Sequence, residues 1–258
     1  MLKKRIIATV LVKDDIVVQS VNFKKYYPVG KPEIVIENLD RWNVDEILLL
    51  DISATKLNNQ PNFSLINKIG SMGISTPLTY GGGVSNKEQA KKIIQLGFER
   101  ICINQSFFKD KQVFKKIAQE IGSQAVILSL PCSILNGKIR YYDYLKNSFF
   151  SISFKEIQKN NKYFSEILIM DTKGDGGKDK FDDKIFNTFY KKKIDNLLLF
   201  GGLNNISQIK KYLYSPLVKG IAIGNPLNYE ENAYQNIKEN LIKINVNQIR
   251  KPVYQKII

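Results

Sequence analysis

Two glycine runs carry the first chemistry in this sequence. Leu78–Asn86 reads LTYGGGVSN, and residues 199–205 read LFGGLNN. Consecutive glycines are costly to order, so a fold keeps them where bare backbone must approach something closely. Placed after a strand and before a helix, their N–H groups and the helix's positive end form an anion cradle. Gly81, Gly82, Gly83, Asn104 and Gln105 are the residues for one such phosphate site; Gly201, Gly202, Gly224 and Asn225 are the residues for another. Tight turns that bind nothing are the alternative use of the same residues. Two opposed cradles suit one phosphorylated small molecule with a phosphate at each end. Carboxylates are the other reactive groups: Asp14 and Asp15 follow the first apolar run, and Asp51, Asp171 and Asp175 follow later ones. The chain has no histidine, which removes the commonest general base and the commonest metal ligand together. No metal site and no cofactor motif is expected.

The elements that must position these residues repeat along the chain. Strand-like runs occur at 5–12, 46–51, 77–80, 100–104, 125–130, 166–171, 196–200 and 220–223, with amphipathic stretches such as 87–97, 111–122 and 206–213 between them. Eight strand–helix units in 258 residues predict an α/β fold, a (β/α)8 TIM barrel forming one domain over 1–258. An open doubly wound sheet is the alternative, and no GxGxxG after the first strand supports it. An internal repeat favours the barrel. EILLLD (46–51) returns as EILIMD (166–171), Gly81–Gly82 as Gly201–Gly202, and Asn104 as Asn225, in the same order. The barrel is therefore predicted to be two duplicated half-barrels of four units each. Three long connections (13–32, 131–153 and 172–182) follow strand C-termini, where barrels carry their working loops. Residues 139–145 within the second predict a small hairpin.

Lys and Arg number 39 against 24 acids, a formal net charge of +15. Such a balance suits nucleic acid, anionic ligands or an acidic partner protein, but the lysines are scattered rather than striped, which argues against nucleic acid. Cys102 and Cys132 lie in or beside predicted strands, as core thiols of a cytoplasmic protein do. The apolar run Ile6–Val12 is too short for a membrane span and reads as a strand.

At this point the chain resembles the cyclase subunit of imidazole glycerol phosphate synthase, HisF. The residues that carry the resemblance are MLKKRII (1–7), VKDD, VNF (21–23), DEILLLDISAT (45–55), PLTYGGGVSN (77–86), RICINQS (100–106), GSQ (122–124) and DGGKDKFD (175–182). The resemblance implies a (β/α)8 barrel with a doubly phosphorylated substrate at its top. It also implies a HisH-like glutaminase beneath, forming a heterodimer and sending ammonia up through the barrel. The family's acid–base pair are two aspartates at the ends of strands one and five; here those positions hold Leu11 and Pro131, which transfer no proton. As a cyclase (a lyase of histidine biosynthesis) the chain looks disabled, with no catalytic residue at either position. The family's ammonia gate, by contrast, matches Arg5, Glu46, Arg100 and Glu166, with Arg100 replacing the usual Lys. All four start strands, and opposite charges at a barrel mouth must pair; a salt-bridge cluster that only stabilises the floor is the other use for them. Glu99 and Gln124 match the glutaminase interface. Leu11 and KLNNQPN (56–62) resemble the branch that serves ATP-dependent sugar amidotransferases in surface-glycan gene sets. Three functions follow: an ammonia-conducting subunit for such an amidotransferase, an active cyclase, or a basic phosphate-ligand binding module.

Overall fold

A computed structural model describes residues 3–57, 59–176, 180–228 and 232–251. Its strands, in chain order, are β1 (Arg5–Lys13), β2 (Ile16–Val21), β3 (Lys25–Gly30), β4 (Ile47–Asp51), β5 (Leu78–Gly81), β6 (Arg100–Ile103), β7 (Val126–Leu135), β8 (Lys138–Asp143), β9 (Ser148–Ser151), β10 (Glu166–Asp171), β11 (Leu197–Phe200) and β12 (Val218–Ile223). Eight of them pair in parallel in the order β1-β4-β5-β6-β7-β10-β11-β12, and β12 returns to β1 with Arg5 opposite Gly220. The predicted (β/α)8 barrel is therefore closed, with no free edge among its eight strands.

Alternation along each strand sorts the side chains into two cores. Outward residues such as Ile6, Ala8, Val10, Ile47 and Leu49 pack under the helices. Inward residues such as Ile7, Leu48, Ile127, Leu168 and Leu198 fill the lumen. The helix Ala233–Lys243 is bolted to the floor: Lys238 forms a buried ion pair with Asp45 (2.7 Å), whose other oxygen accepts the Ile6 amide at 2.8 Å. The Tyr234 hydroxyl accepts from the Asp45 amide and donates to the Ile6 carbonyl. This network seals the start of β1 against the start of β4.

The two long connections after β1 and β7 are antiparallel hairpins, β2–β3 and β8–β9. They occupy matching places in the two halves, and their turns meet over the barrel, with the Phe23 and Tyr144 rings 6.1 Å apart. The second hairpin is wider than residues 139–145 alone predict, because β7 runs on to Leu135 and itself pairs with β8.

The structure shifts the internal repeat by one residue at the glycines. Gly81 ends β5 as Phe200 ends β11. It is Gly82 and Gly201 that correspond: a Cβ on either would sit 2.6 or 2.5 Å from the carbonyl oxygen of Asp51 or Asp171, at φ +142° and +97°. Only glycine fits both the conformation and the approach. Gly201→Ala is expected to cost about 3 kcal/mol, and Gly137→Ala, at an open hairpin turn of similar φ sign, about 1 kcal/mol. Equilibrium urea unfolding of the two variants measures the difference.

Candidate functional site

The lower end of the barrel is a closed ring of charge. Arg5, Glu46, Arg100 and Glu166 begin their strands or stand one residue before them, and strand register brings them to one level. Arg5 pairs with Glu46 at 2.8 Å and with Glu166; Arg100 pairs with Glu166 at 2.5 Å and with Glu46 at 3.4 Å. Each arginine thus bridges both glutamates, and the side chains are only 16, 3, 13 and 12% exposed in sequence order. Charges removed from water to this degree persist when every one is matched, and the alternating ring matches all four. Thr79, which sequence reasoning missed, donates to Glu46 at 2.7 Å, and Ser165 accepts from Arg100 at 3.0 Å. Glu99 and Gln124 are exposed on the same side, and the Glu99 carboxylate accepts the Leu78 amide at 2.6 Å.

Above the ring the lumen is apolar, through Ile7, Leu48, Ile127, Leu168 and Leu198. It then softens to Thr9, Cys102, Ser129 and Met170, with the Ser129 hydroxyl on the Met170 sulfur at 3.2 Å. Burial pushes the Cys102 thiol up to about 12 and the Cys132 thiol well above its usual range, so neither is a nucleophile. Leu11 closes the top layer, 4% exposed, and Pro131 sits in β7 opposite Met170. Phe23, Tyr26 and Tyr144 roof this mouth, the Tyr26 hydroxyl donating to the Phe23 carbonyl and accepting from Lys56 at 2.9 Å.

The two glycine cradles differ. The first opens into a cavity of about 430 Å³ that runs from Gly81–Gly83 to Leu11 and includes Lys56 and Lys109. The second lines a pocket of about 130 Å³ with Gly201, Gly202, Gly224 and Asn225, narrowed by Phe200 and containing Asp175. Asn104 and Asn225 both spend their side-chain amides on backbone: Asn104 donates to the Ser129 carbonyl and accepts the Tyr141 hydroxyl, and Asn225 donates to the Ser20 carbonyl. They anchor the hairpins. Gln105 keeps a buried, unpartnered Oε1 at the first cavity.

The other acids that the sequence offers at strand ends have local partners. Asp14 and Asp15 stand at the exposed hairpin turn, held by Lys13, Ser53 and Asn62. Asp51 caps the helix Ile52–Lys56 through the Ala54 amide, and Asp171 accepts the Lys173 and Asp182 amides. Burial raises both carboxyls against these hydrogen bonds. Asp175, 3% exposed, is pushed up to about 6 by burial, against hydrogen bonds from the Ser20 side chain and the Phe23 backbone. Gly177, Lys178 and Asp179 of the same loop lie outside the described residues.

The model of the histidine biosynthesis protein family matches residues 5–233. The chain belongs to that family. Its relatives are HisF subunits. It is 39% identical over 132 residues to a Pseudomonas aeruginosa protein provisionally named imidazole glycerol phosphate synthase subunit hisF2, a match spanning 51% of this chain and 52% of that one. A Vibrio vulnificus protein with the same provisional name is 28% identical over 81% of this chain and 77% of its own. The imidazole glycerol phosphate synthase subunit HisF of Thermotoga sp. is 29% identical over 72% of this chain and 74% of its own. Among the described residues of this HisF-like barrel, no helix is long and apolar enough to cross a membrane, and no cluster of ligating side chains suits a metal ion.

Two outcomes follow from the electrostatics. Glu46→Ala leaves two arginines sharing the single carboxylate of Glu166 and is expected to cost about 3 kcal/mol, whereas Arg100→Lys, which keeps the charge, costs about 1 kcal/mol; chemical denaturation compares them. Asp175 binds a proton more tightly folded than unfolded. Its contribution to stability is full below about pH 4 and is lost as pH rises through about 6, a span of roughly 3 kcal/mol. Asp175→Asn should flatten the unfolding free energy across that window, as urea titrations between pH 4 and 7 would show.

Proposed function

We propose that this HisF-like barrel is an ammonia-conducting subunit. It takes ammonia from a HisH-like glutaminase docked at the charged floor and passes it from the top to a partner sugar amidotransferase of acetamidino-sugar, surface-glycan biosynthesis. The observation that carries the reading is the contrast between its two ends. The floor keeps a complete alternating ring of Arg5, Glu46, Arg100 and Glu166, while the mouth presents Leu11 and Pro131 where ring closure needs an acid and a base. An apolar lumen suits the neutral nucleophile: it excludes water and admits ammonia in preference to ammonium. Opening the ring requires an arginine to release its glutamates, which couples passage to whatever docks below. Glu99 and Gln124, exposed beside the ring, are the residues assigned to that contact, and the cytoplasm is the compartment.

A cyclase of histidine biosynthesis is the second reading. The 430 Å³ cavity at the first cradle favours it, since a conduit has no need of a phosphate pocket. In the preferred reading that cavity, through Gly81–Gly83 and Gln105, takes a phosphorylated small molecule as a sensor or docking aid.

Pull-down and calorimetry with the HisH-like glutaminase of the same genome test the proposal. The wild-type chain should bind it and raise its glutaminase activity, and Glu99→Lys should weaken binding about tenfold with an unchanged circular dichroism spectrum. A chain that binds no glutaminase would overturn the conduit reading.

A further inference from the structure

The barrel wall has no free edge, but each of the two hairpins above it ends in one. Among the described residues β3 pairs with β2 alone, and β9 with β8 alone. Exposed strand edges invite pairing with other chains, so sheets blunt them with proline, charge or irregular register. The β2–β3 hairpin has all three: Pro28 and Lys25 on β3, and a shift in register at Val17–Val18. β9 reads SFFS, with no proline, no charge and an unbroken register against β8. Its Phe149 and Phe150 stand 36 and 40% exposed. An unprotected backbone edge beside exposed aromatic rings is what strand addition by another polypeptide uses.

The charge around this edge says what pairs with it. Alternation turns Tyr141 and Asp143 toward the barrel and leaves Lys138, Arg140 and Tyr142 on the outer face, which Phe149, 5.0 Å from the Tyr142 ring, continues across the hairpin. Arg140 donates to the Ser151 hydroxyl, and the Lys146 ammonium of the turn lies 5.0 Å from the centre of the Phe150 ring. Asp143 is the hairpin's one carboxylate, and it is buried and taken up by Gln105 and the Leu145 and Lys146 amides. Three cations therefore surround the edge with no acid to match them. We propose that β9 is the docking edge for an acidic, extended segment of a partner protein, which adds as a further strand. A second copy of this chain is the wrong partner, because pairing β9 with β9 brings these cations against their counterparts in a chain of net charge +15. A nucleic acid answers the cations but not the alternating N–H and C=O groups of the edge, which match a peptide backbone. The hairpin turns meet over the barrel, Phe23 against Tyr144, so a segment bound here lies beside the mouth. That the partner is the acceptor of ammonia rests on the conduit reading; the edge and its charge do not.

The test uses the full chain and a fluorescein-labelled peptide of four Glu-Val repeats, read by fluorescence anisotropy at about 50 mM salt, where surface charge is weakly screened. Three probes are compared with it: a peptide of four Lys-Val repeats, an oligothymidylate, and the Glu-Val peptide methylated at every backbone nitrogen, which keeps the charge and loses the donors. The Glu-Val peptide should bind at least about tenfold tighter than each of the three, and it should slow deuterium exchange of the amides at 148–151. Lys138→Glu combined with Lys146→Glu should weaken it about tenfold with an unchanged circular dichroism spectrum. The proposal is overturned if the Glu-Val peptide does not bind, if the methylated peptide or the oligothymidylate binds as tightly, or if exchange at 148–151 is unaltered. Concentration-dependent dimers that protect the same amides would overturn it in favour of a second copy. No glutaminase takes part, so a failed titration leaves the conduit reading standing, and peptide binding at β9 supports the docking edge even if no glutaminase binds.

Discussion

Four charges at the floor of a closed barrel impose the condition on which the rest of this molecule depends. Arg5, Glu46, Arg100 and Glu166 are largely withdrawn from water, so each must be neutralised by the others. That is possible only when β1, β4, β6 and β10 start at one level, which fixes the register of the barrel from its lower end. The buried Lys238–Asp45 pair and the Tyr234 hydroxyl repeat the same logic next door, tying the helix Ala233–Lys243 to the start of β1. With the floor fixed, alternation along the strands carries an apolar lumen upward and delivers Leu11, Met170 and Pro131 to the mouth.

The two halves share a framework and differ in what they enclose. Both follow their first strand with a hairpin and use an asparagine side chain to hold it, and both turn a glycine against the carbonyl of an aspartate. The residue before that glycine decides the outcome. Gly81 leaves the first half an open cavity with two lysines, whereas Phe200 fills the second, where Asp175 is buried. Duplication preserved backbone geometry while the electrostatics of the two cradles moved apart.

Much of this was legible in the sequence. Strand periodicity and the repeat of EILLLD as EILIMD located all eight barrel strands to within a few residues, because parallel strands buried on both faces read as dense apolar runs. The ring residues were singled out by the resemblance to HisF, and their place at strand starts is consistent with the mutual pairing that buried charges require. The glycine correspondence was misread by one residue, because composition aligns Gly81 with Gly201 and only backbone conformation separates them. The roof of Phe23, Tyr26 and Tyr144, the Thr79 bond to Glu46 and the burial of Asp175 depend on contacts between segments distant in sequence, which spacing does not encode.

The central claim is that this barrel retains the floor of an ammonia-fed cyclase without the cyclisation. The most direct measurement supplies the purified chain with the cyclase substrate of the HisF family and saturating ammonium salt, bypassing any glutaminase, and follows formation of imidazole glycerol phosphate. The account predicts no product above the uncatalysed background, since Leu11 and Pro131 offer no proton donor or acceptor at the mouth. Turnover at a rate comparable to an authentic HisF cyclase would contradict it.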